Sequence, residues 1–379
     1  MNILYLTTEW PSEERPTDGI FIREHAAAVA SECSVAVVHI ARLPGEHGLY
    51  DLAPIPGETL PAWRVRYRRF PRPLSYLSFV LGAFAGMRRV RRAGLDPDVI
   101  HAHSPLSSGL AVMLGSVYRK PIVYTEHWTI FIPENPGRLA RVQQMFTKLA
   151  LRRSAFVLPV SDDLRAALAE LEPSARFRVI RNVVDERVFH PPATREPVST
   201  SPYRLLTIGS LDSERKGVDI LLEAVARLAE ERTDFHLDVI GEGRNRPAYE
   251  ALAERLGVSQ LVTFHGWKPK ARLAELMRAA DLFVLASRFE NQPCVLIEAM
   301  ASGLPVVATA VGGVPETVDE RSGLLVEPLD PEAFAQAMAK ALDGLDRYDR
   351  AGISRRALEN YGQTRIGGEL LEVYAEAAR

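Results

Sequence analysis

Short apolar runs alternate with helix-length stretches twice over in this chain, and that alternation limits the architecture more than any other feature. Residues 2–8 (NILYLTT), 34–40 (SVAVVHI), 99–104 (VIHAHS), 121–127 (PIVYTEH) and 156–161 (FVLPVS) have the pattern of parallel strands buried on both faces. Helical stretches such as IREHAAAVA separate them, so βαβ units and one parallel sheet are expected. The segment 190–202 (HPPATREPVSTSP), rich in Pro, Ser and Thr, breaks the series and reads as a linker. The alternation then restarts at 203–210, 235–243, 261–266, 281–287, 305–310 and 323–328. Two Rossmann-like α/β domains follow, 1–189 and 203–362, and residues 363–379 form a helix with no strand after it. A length of 379 residues suits two cores of similar size.

Composition excludes several classes of protein. With 47% hydrophobic and 25% charged residues and no apolar run near the ~18–20 residues of a membrane span, the chain is expected to be soluble. Met1 leads directly into Asn-Ile-Leu-Tyr-Leu without a basic region or a long apolar run, so a cytoplasmic protein is expected. Cys33 and Cys294 match neither a disulfide framework nor a zinc spacing, and no metal is expected. Net charge is −2, but residues 1–190 carry 24 Lys/Arg against 19 Asp/Glu and the remainder 22 against 29. The basic excess is local: residues 59–95 hold nine arginines and no acid, which makes a patch rather than a nucleic-acid-binding character.

Ligands of doubly wound sheets sit at the carboxyl ends of the strands, so a cleft between the two domains is the expected site. Gly19, His127, residues 210–217, 241–243, Glu290 and Gly312-Gly313 all follow apolar runs. In GSLDSERKGVDILLEA (209–224) a strand passes through a charged turn into a helix. Free N–H groups of a helix start, beside Arg215 and Lys216, suit a phosphate; a solvated basic turn is the competing reading. In SRFENQPCVLIEAMASGLPVV (287–307) Glu290 falls in the loop after a strand and Glu298 within the next helix. A carboxylate accepts two hydroxyl hydrogen bonds at once, so vicinal diols of a ribose or hexose are its natural ligands here. A helix-surface charge is the alternative for Glu298, set against its apolar flanks. His127 at a strand end is a hydrogen-bond donor or proton carrier for the cleft, whereas His101 and His103 read as core. Asp96-Pro97-Asp98 matches a metal-binding D-x-D pattern but precedes its strand, at the wrong end for the cleft, and reads as a turn.

The order K-G-V-D, then G-E-G, then S-x-x-E-x7-E-A-M-A-S-G-x-P-V-V-A-T-x-x-G-G-x-P-E resembles the retaining glycosyltransferases of family 4, which have the GT-B fold. TTEW to DGIFIREH resembles that family's N-terminal glycine loop, and VIRNVVDERVF its linker-side segment. The resemblance implies transfer of a hexose-type sugar from a UDP- or GDP-sugar, with retention and no required metal or cofactor. By the same analogy the helix 363–379 packs back onto the first domain. Lys216 and Arg215 would neutralise the diphosphate, Glu298 would hold the ribose and Glu290 would contact the donor sugar. His127 would line the sugar pocket, and Gly19 would let backbone approach the phosphates. Two departures stand out: Ser210 replaces a common arginine, and Pro293, lacking an N–H, moves the amide contacts to Cys294 and Val295.

The acceptor would carry a hydroxyl, and the resemblance points to bacterial cell-surface polysaccharide, glycolipid or glycoconjugate synthesis. Residues 63–92 (WRVRYRRFPRPLSYLSFVLGAFAGMRRVRR) pair arginines, among them Arg66, Arg68 and Arg69, with aromatics and an apolar helix-length run. They read either as a segment lying on an anionic membrane surface, for a lipid-linked acceptor, or as a buried helix with solvated arginine ends. A nucleotide-sugar epimerase and a non-catalytic nucleotide-sugar sensor are the rival functions. The first would need an acid/base set at the sugar; the second would lack phosphate-neutralising charge.

Overall fold

The computed structural model describes residues 1–43, 49–68, 74–133, 135, 137, 139–192 and 202–379. They divide into two compact units, 1–183 with 363–379 and 184–362. In the first, β1 (Asn2–Thr7), α1 (Ile20–Val29), β2 (Ser34–Leu43), β3 (Tyr50–Pro54), β4 (Ala62–Arg68), α2 (Leu74–Arg92), β5 (Val99–His103), α3 (Pro105–Tyr118), β6 (Ile122–Glu126), α4 (Arg141–Arg153), β7 (Phe156–Pro159) and α5 (Asp162–Leu171) follow in order. Seven strands make one sheet in the order β3-β4-β2-β1-β5-β6-β7, parallel except for the antiparallel edge strand β3. In the second, β8 (Tyr203–Ile208), α6 (Val218–Glu231), β9 (Phe235–Ile240), α7 (Arg246–Arg255), β10 (Val262–Gly266), α8 (Lys270–Ala279), β11 (Leu282–Leu285), α9 (Cys294–Ala301), β12 (Val306–Thr309), β13 (Gly323–Val326), α10 (Pro331–Asp343) and α11 (Arg350–Tyr361) build a six-stranded parallel sheet in the order β10-β9-β8-β11-β12-β13.

The last helix, α12 (Gln363–Ala377), returns to the first unit and packs along α1. Ile366, Leu370, Val373 and Tyr374 are buried in the core of β1, α1 and β5. Backbones meet closely there, since a Cβ on Gly367 would stand 2.4 Å from the Ala28 carbonyl oxygen. Tyr374 Oη lies 2.8 Å from Tyr5 Oη and 2.6 Å from His101 Nδ1, so the helix is also pinned by buried polar contacts.

Three sequence expectations are corrected. Val184 and Phe189 are buried with the second core, so the units divide at 183/184, upstream of the Pro/Ser/Thr-rich segment, of which 193–201 lie outside the described residues. Strands β3 and β4 were not expected. Among the described residues of 63–92, WRVRYR alternates apolar and basic residues and pairs with β2 and β3 as a strand, and only 74–92 is helix. Helix α2 buries Phe79, Ala83, Met87 and Val90 while Leu74, Leu77 and Leu81 face outward. No helix among the described residues is long and apolar enough to cross a membrane.

Candidate active site

The second unit gathers one cluster of charged residues at the carboxyl ends of β8 and β11, which are neighbours in the sheet. After β8 the chain makes a one-turn 3₁₀ helix, Glu214–Lys216, and Gly217 then starts α6 in the left-handed region at φ 60°. Only glycine fits, because a Cβ there would stand 1.9 Å from the Ala286 carbonyl oxygen. That approach locks the Arg215-Lys216 turn onto the end of β11. Arg288 secures it from the other side: its backbone N–H donates to the Arg215 carbonyl at 2.8 Å, and its guanidinium grips Asp219 at 2.8 and 2.6 Å.

Glu290, 3% exposed, is the centre of this arrangement. Lys216 Nζ donates to Oε1 at 2.6 Å, Ser287 Oγ to the same oxygen at 2.9 Å, and Arg215 Nη1 to Oε2 at 2.7 Å. Thr309 Oγ1, from the end of β12, donates to the Ser287 carbonyl at 2.6 Å and fixes that loop. Burial alone would raise the Glu290 carboxyl, but the attraction of Lys216 and Arg215 outweighs it and holds the group below its ordinary value. Lys216, with its side chain 11% exposed, is lowered by burial against the pull of Glu290. Two cations on one buried carboxylate leave a net charge of +1, a preset positive site for an anion.

Cys294 and Val295 open α9 directly after Pro293, and the first N–H groups of a helix have no acceptor within it. Glu298 sits half-buried one turn further along the same helix. The structure thus brings together Arg215, Lys216, Glu290 and the start of α9, and it places Ser210 outside the cluster, exposed beside Asp212. Ser287, Arg288, Asp219 and Thr309 are the supporting residues that sequence reasoning missed. The motif carried a local signal for three of them, Asp219 in K-G-V-D, Ser287 in S-x-x-E and Thr309 in V-V-A-T, and none for Arg288.

The other candidates belong to the first unit. Gly19 begins α1 at φ 64°, and a Cβ there would meet the Glu9 carbonyl oxygen at 2.5 Å, so the glycine seats the 8–19 loop on the end of β1. His127 follows β6, half-buried, its ring 4.3 Å from that of Phe21 and its Nε2 3.2 Å from His103 Nδ1. Burial, then the neighbouring imidazoles of His25 and His101, push it well below its ordinary value against a hydrogen bond with Asn182. It is a neutral ring at pH 7. A buried and a half-buried acid hold the backbone and side chain of the segment that follows β6. Glu126 accepts the N–H groups of His127 and Trp128, each at 2.8 Å, and Glu9 accepts from Trp128 Nε1 at 2.8 Å. Burial raises both carboxyls to about 7. Arg66 faces Asp51 across the β3–β4 pair at 3.8 Å, Arg68 ends β4 half-buried, and Arg69 lies outside the described residues.

Two Rossmann-like units, with a glycine-started helix after the first strand of the second and a buried glutamate clamped by a Lys/Arg turn, are the architecture the motif order implied. Residues 202–344 match the family described as glycosyl transferases group 1, and residues 20–188 match glycosyltransferase family 4. The D-inositol 3-phosphate glycosyltransferase of Corynebacterium urealyticum is 31% identical over 321 residues, covering 78% of this chain and 75% of that protein. The chain belongs to the family 4, group 1 glycosyltransferases. Its fold is that of sucrose-phosphate synthase from Thermosynechococcus elongatus, with a TM-score of 0.80, 22% identity and 99% of each chain covered. It is also that of Anabaena HepE, solved with UDP-glucose, with a TM-score of 0.73, 19% identity, and 98% and 99% covered. Both are GT-B structures, as the motif order implied.

Proposed function

We propose that this glycosyltransferase moves a hexose-type sugar from a UDP- or GDP-sugar to a hydroxyl acceptor, with retention of anomeric configuration and without metal. The observation that carries the reading is the buried Glu290 held between Lys216 and Arg215. As the bond from the anomeric carbon to the diphosphate oxygen breaks, negative charge grows on the leaving group. The net positive Lys216–Arg215–Glu290 cluster and the N–H groups of Cys294 and Val295 stabilise that charge, each such donor being worth about 3 kcal/mol. The acceptor oxygen bonds to the anomeric carbon from the same face, and its proton passes to the leaving phosphate oxygen. No carboxylate nucleophile is then required. Glu290 contacts the sugar, Glu298 the ribose hydroxyls, and His127, as a neutral donor or acceptor, a sugar hydroxyl. Gly19 keeps the 8–19 loop low enough for backbone to approach the phosphates.

The UDP-glucose with which HepE was solved supports this class of donor. Family membership favours transfer over the epimerase and sensor alternatives. The acceptor is proposed to be a lipid-linked or surface-glycan precursor at the cytoplasmic face of a membrane. Leu74 and Leu77, each 49% exposed, and Leu81 form an outward stripe on α2 that continues into exposed Arg88 and Arg92.

The test is thermal stabilisation across UDP-, GDP- and ADP-sugars with chelator present, followed by NMR of the product's anomeric proton. A donor at 100 times its Kd adds about 2.7 kcal/mol. One nucleotide should stabilise the protein, Lys216→Ala should abolish transfer, and the product should keep the donor's configuration. An inverted product, or transfer that chelator abolishes, overturns the mechanism.

A further inference from the structure

The first unit holds a histidine cluster that the proposed transfer uses only in part. His103 ends β5, His127 follows β6 and His25 comes from α1. One ring nitrogen of each lies within 4.8 Å of the other two. The rings of His103 and His127 stack at 5.5 Å and 15°, and His25 is 5.5 Å from His127. His25 and His103 are fully buried, while His127 is half-buried and gives the cluster its opening.

Burial lowers all three imidazoles, His25 to about 4, and neighbouring imidazoles push the other two down further. Neutral rings are the form that binds cations. The hydrogen bonds also fix which nitrogen is free. His25 Nε2 lies 2.9 Å from the Arg181 carbonyl oxygen, which only an N–H can satisfy, so Nδ1 carries the lone pair. That buried Nδ1 has no hydrogen-bond partner, and neither has the buried Nε2 of His103. His127 is oriented by the Asn182 side chain. For His25, a ring N–H held by a backbone carbonyl with the second nitrogen unpaired is the outer-shell arrangement of metal-binding histidines.

We propose that His25, His103 and His127 form a binding site for a borderline divalent cation, Zn²⁺ above all, with three imidazole ligands and a fourth position open. Three nitrogen donors without a cluster of oxygens select against Ca²⁺ and Mg²⁺. Zn–N bonds of about 2.0–2.1 Å set tetrahedral ligand nitrogens about 3.3 Å apart. One nitrogen of each ring already lies within 4.8 Å of the other two, so ring rotation that gives up the 3.2 Å hydrogen bond between His103 Nδ1 and His127 Nε2 brings the triad to that spacing. A cored aromatic stack would explain the burial but not two orphaned nitrogens within it. The consequence for activity rests on the role of His127 proposed above: a bound cation withdraws its ring from the sugar, so the ion inhibits transfer that itself needs no metal. The binding does not rest on that role.

The purified full chain, stripped with chelator, is titrated with Co²⁺ and then Zn²⁺. One equivalent of Co²⁺ should give the intense visible bands of a four-coordinate ion, and Zn²⁺ should displace it. In competition with a chromophoric chelator, His127→Asn and His25→Gln should each weaken Zn²⁺ binding at least about 100-fold. His265→Gln, in the second unit, should leave it unchanged. Absence of the four-coordinate bands, or unchanged Zn²⁺ affinity in His127→Asn, overturns the site. Should His25→Gln fail to fold, the half-buried His127 variant and the wild-type Co²⁺ spectrum decide. In the transfer assay Zn²⁺ should slow product formation and chelator restore it. Zn²⁺ bound without any donor binding would overturn only the transferase reading; transfer without Zn²⁺ binding would overturn only the metal site.

Discussion

Replacing Lys216 by Met, Glu290 by Gln, and both together tests whether the buried ion pair organises the donor site. Glu290 is 3% exposed and its two oxygens meet Lys216 and Arg215 at 2.6 and 2.7 Å. Breaking a buried pair costs about 3–5 kcal/mol because a charge is left uncompensated. Lys216→Met leaves Glu290 with Arg215 and Ser287, so the lower figure applies, about 3 kcal/mol. Glu290→Gln leaves two adjacent cations without their counter-charge and should cost a similar amount. The double variant buries no orphan carboxylate and should recover about 2 kcal/mol of the summed loss.

A pH signature follows from the same geometry. In the wild type the two cations outweigh burial and hold the Glu290 carboxyl low, so its contribution to stability is present above the ordinary carboxylate range and lost as pH falls through the folded value. In Lys216→Met burial acts against one cation only and the carboxyl rises. A raised carboxyl is costly at high pH and relieved by protonation, so the deficit of the variant should shrink between pH 8 and 5. Urea unfolding at both pH values measures it. Turnover separates structure from catalysis: the double variant should regain stability while its rate stays about 100-fold or more below wild type. Additivity within about 0.5 kcal/mol, or a deficit flat in pH, refutes the buried pair as the organiser of the site.

Gly217→Ala should lose at least about 3 kcal/mol, since a left-handed φ and a Cβ 1.9 Å from Ala286 O act together; a melting temperature near wild type would show that the turn relaxes. Glu9→Gln should flatten a pH dependence of stability. The folded carboxyl is raised by burial to about 7, so the contribution of Glu9 is fully present below about pH 4.5 and is lost as pH rises to 7, by about 1–2 kcal/mol after solvent screening at this half-buried position. Identical pH profiles of stability for wild type and variant would remove Glu9 as its source. Leu77→Glu with Leu81→Glu should leave stability within about 0.5 kcal/mol and abolish co-sedimentation with anionic vesicles; equal sedimentation would exclude the α2 stripe as the contact.

What the sequence disclosed follows from which forces act locally. Strands such as VIHAH and LFVL are buried on both faces, so their apolar runs needed no knowledge of neighbours. Strands β3 and β4 form the sheet edge, where YDLAP is largely exposed and WRVRYR alternates arginine with apolar residues; arginine content then masked a period of two. The motif located Lys216 and Glu290, separately, as a phosphate ligand and a sugar ligand. It did not disclose that they hold each other, because that pairing spans 74 residues and depends on β8 lying beside β11, an order periodicity does not encode. The same limit hid the histidine cluster. His103 and His127 read singly as core and cleft residues, and only the adjacency of β5 and β6, with His25 brought in from α1, gathers three separate rings into one cluster. Charged or ligating side chains collected from neighbouring strand ends are therefore the features to seek in the sheet order rather than in the motif.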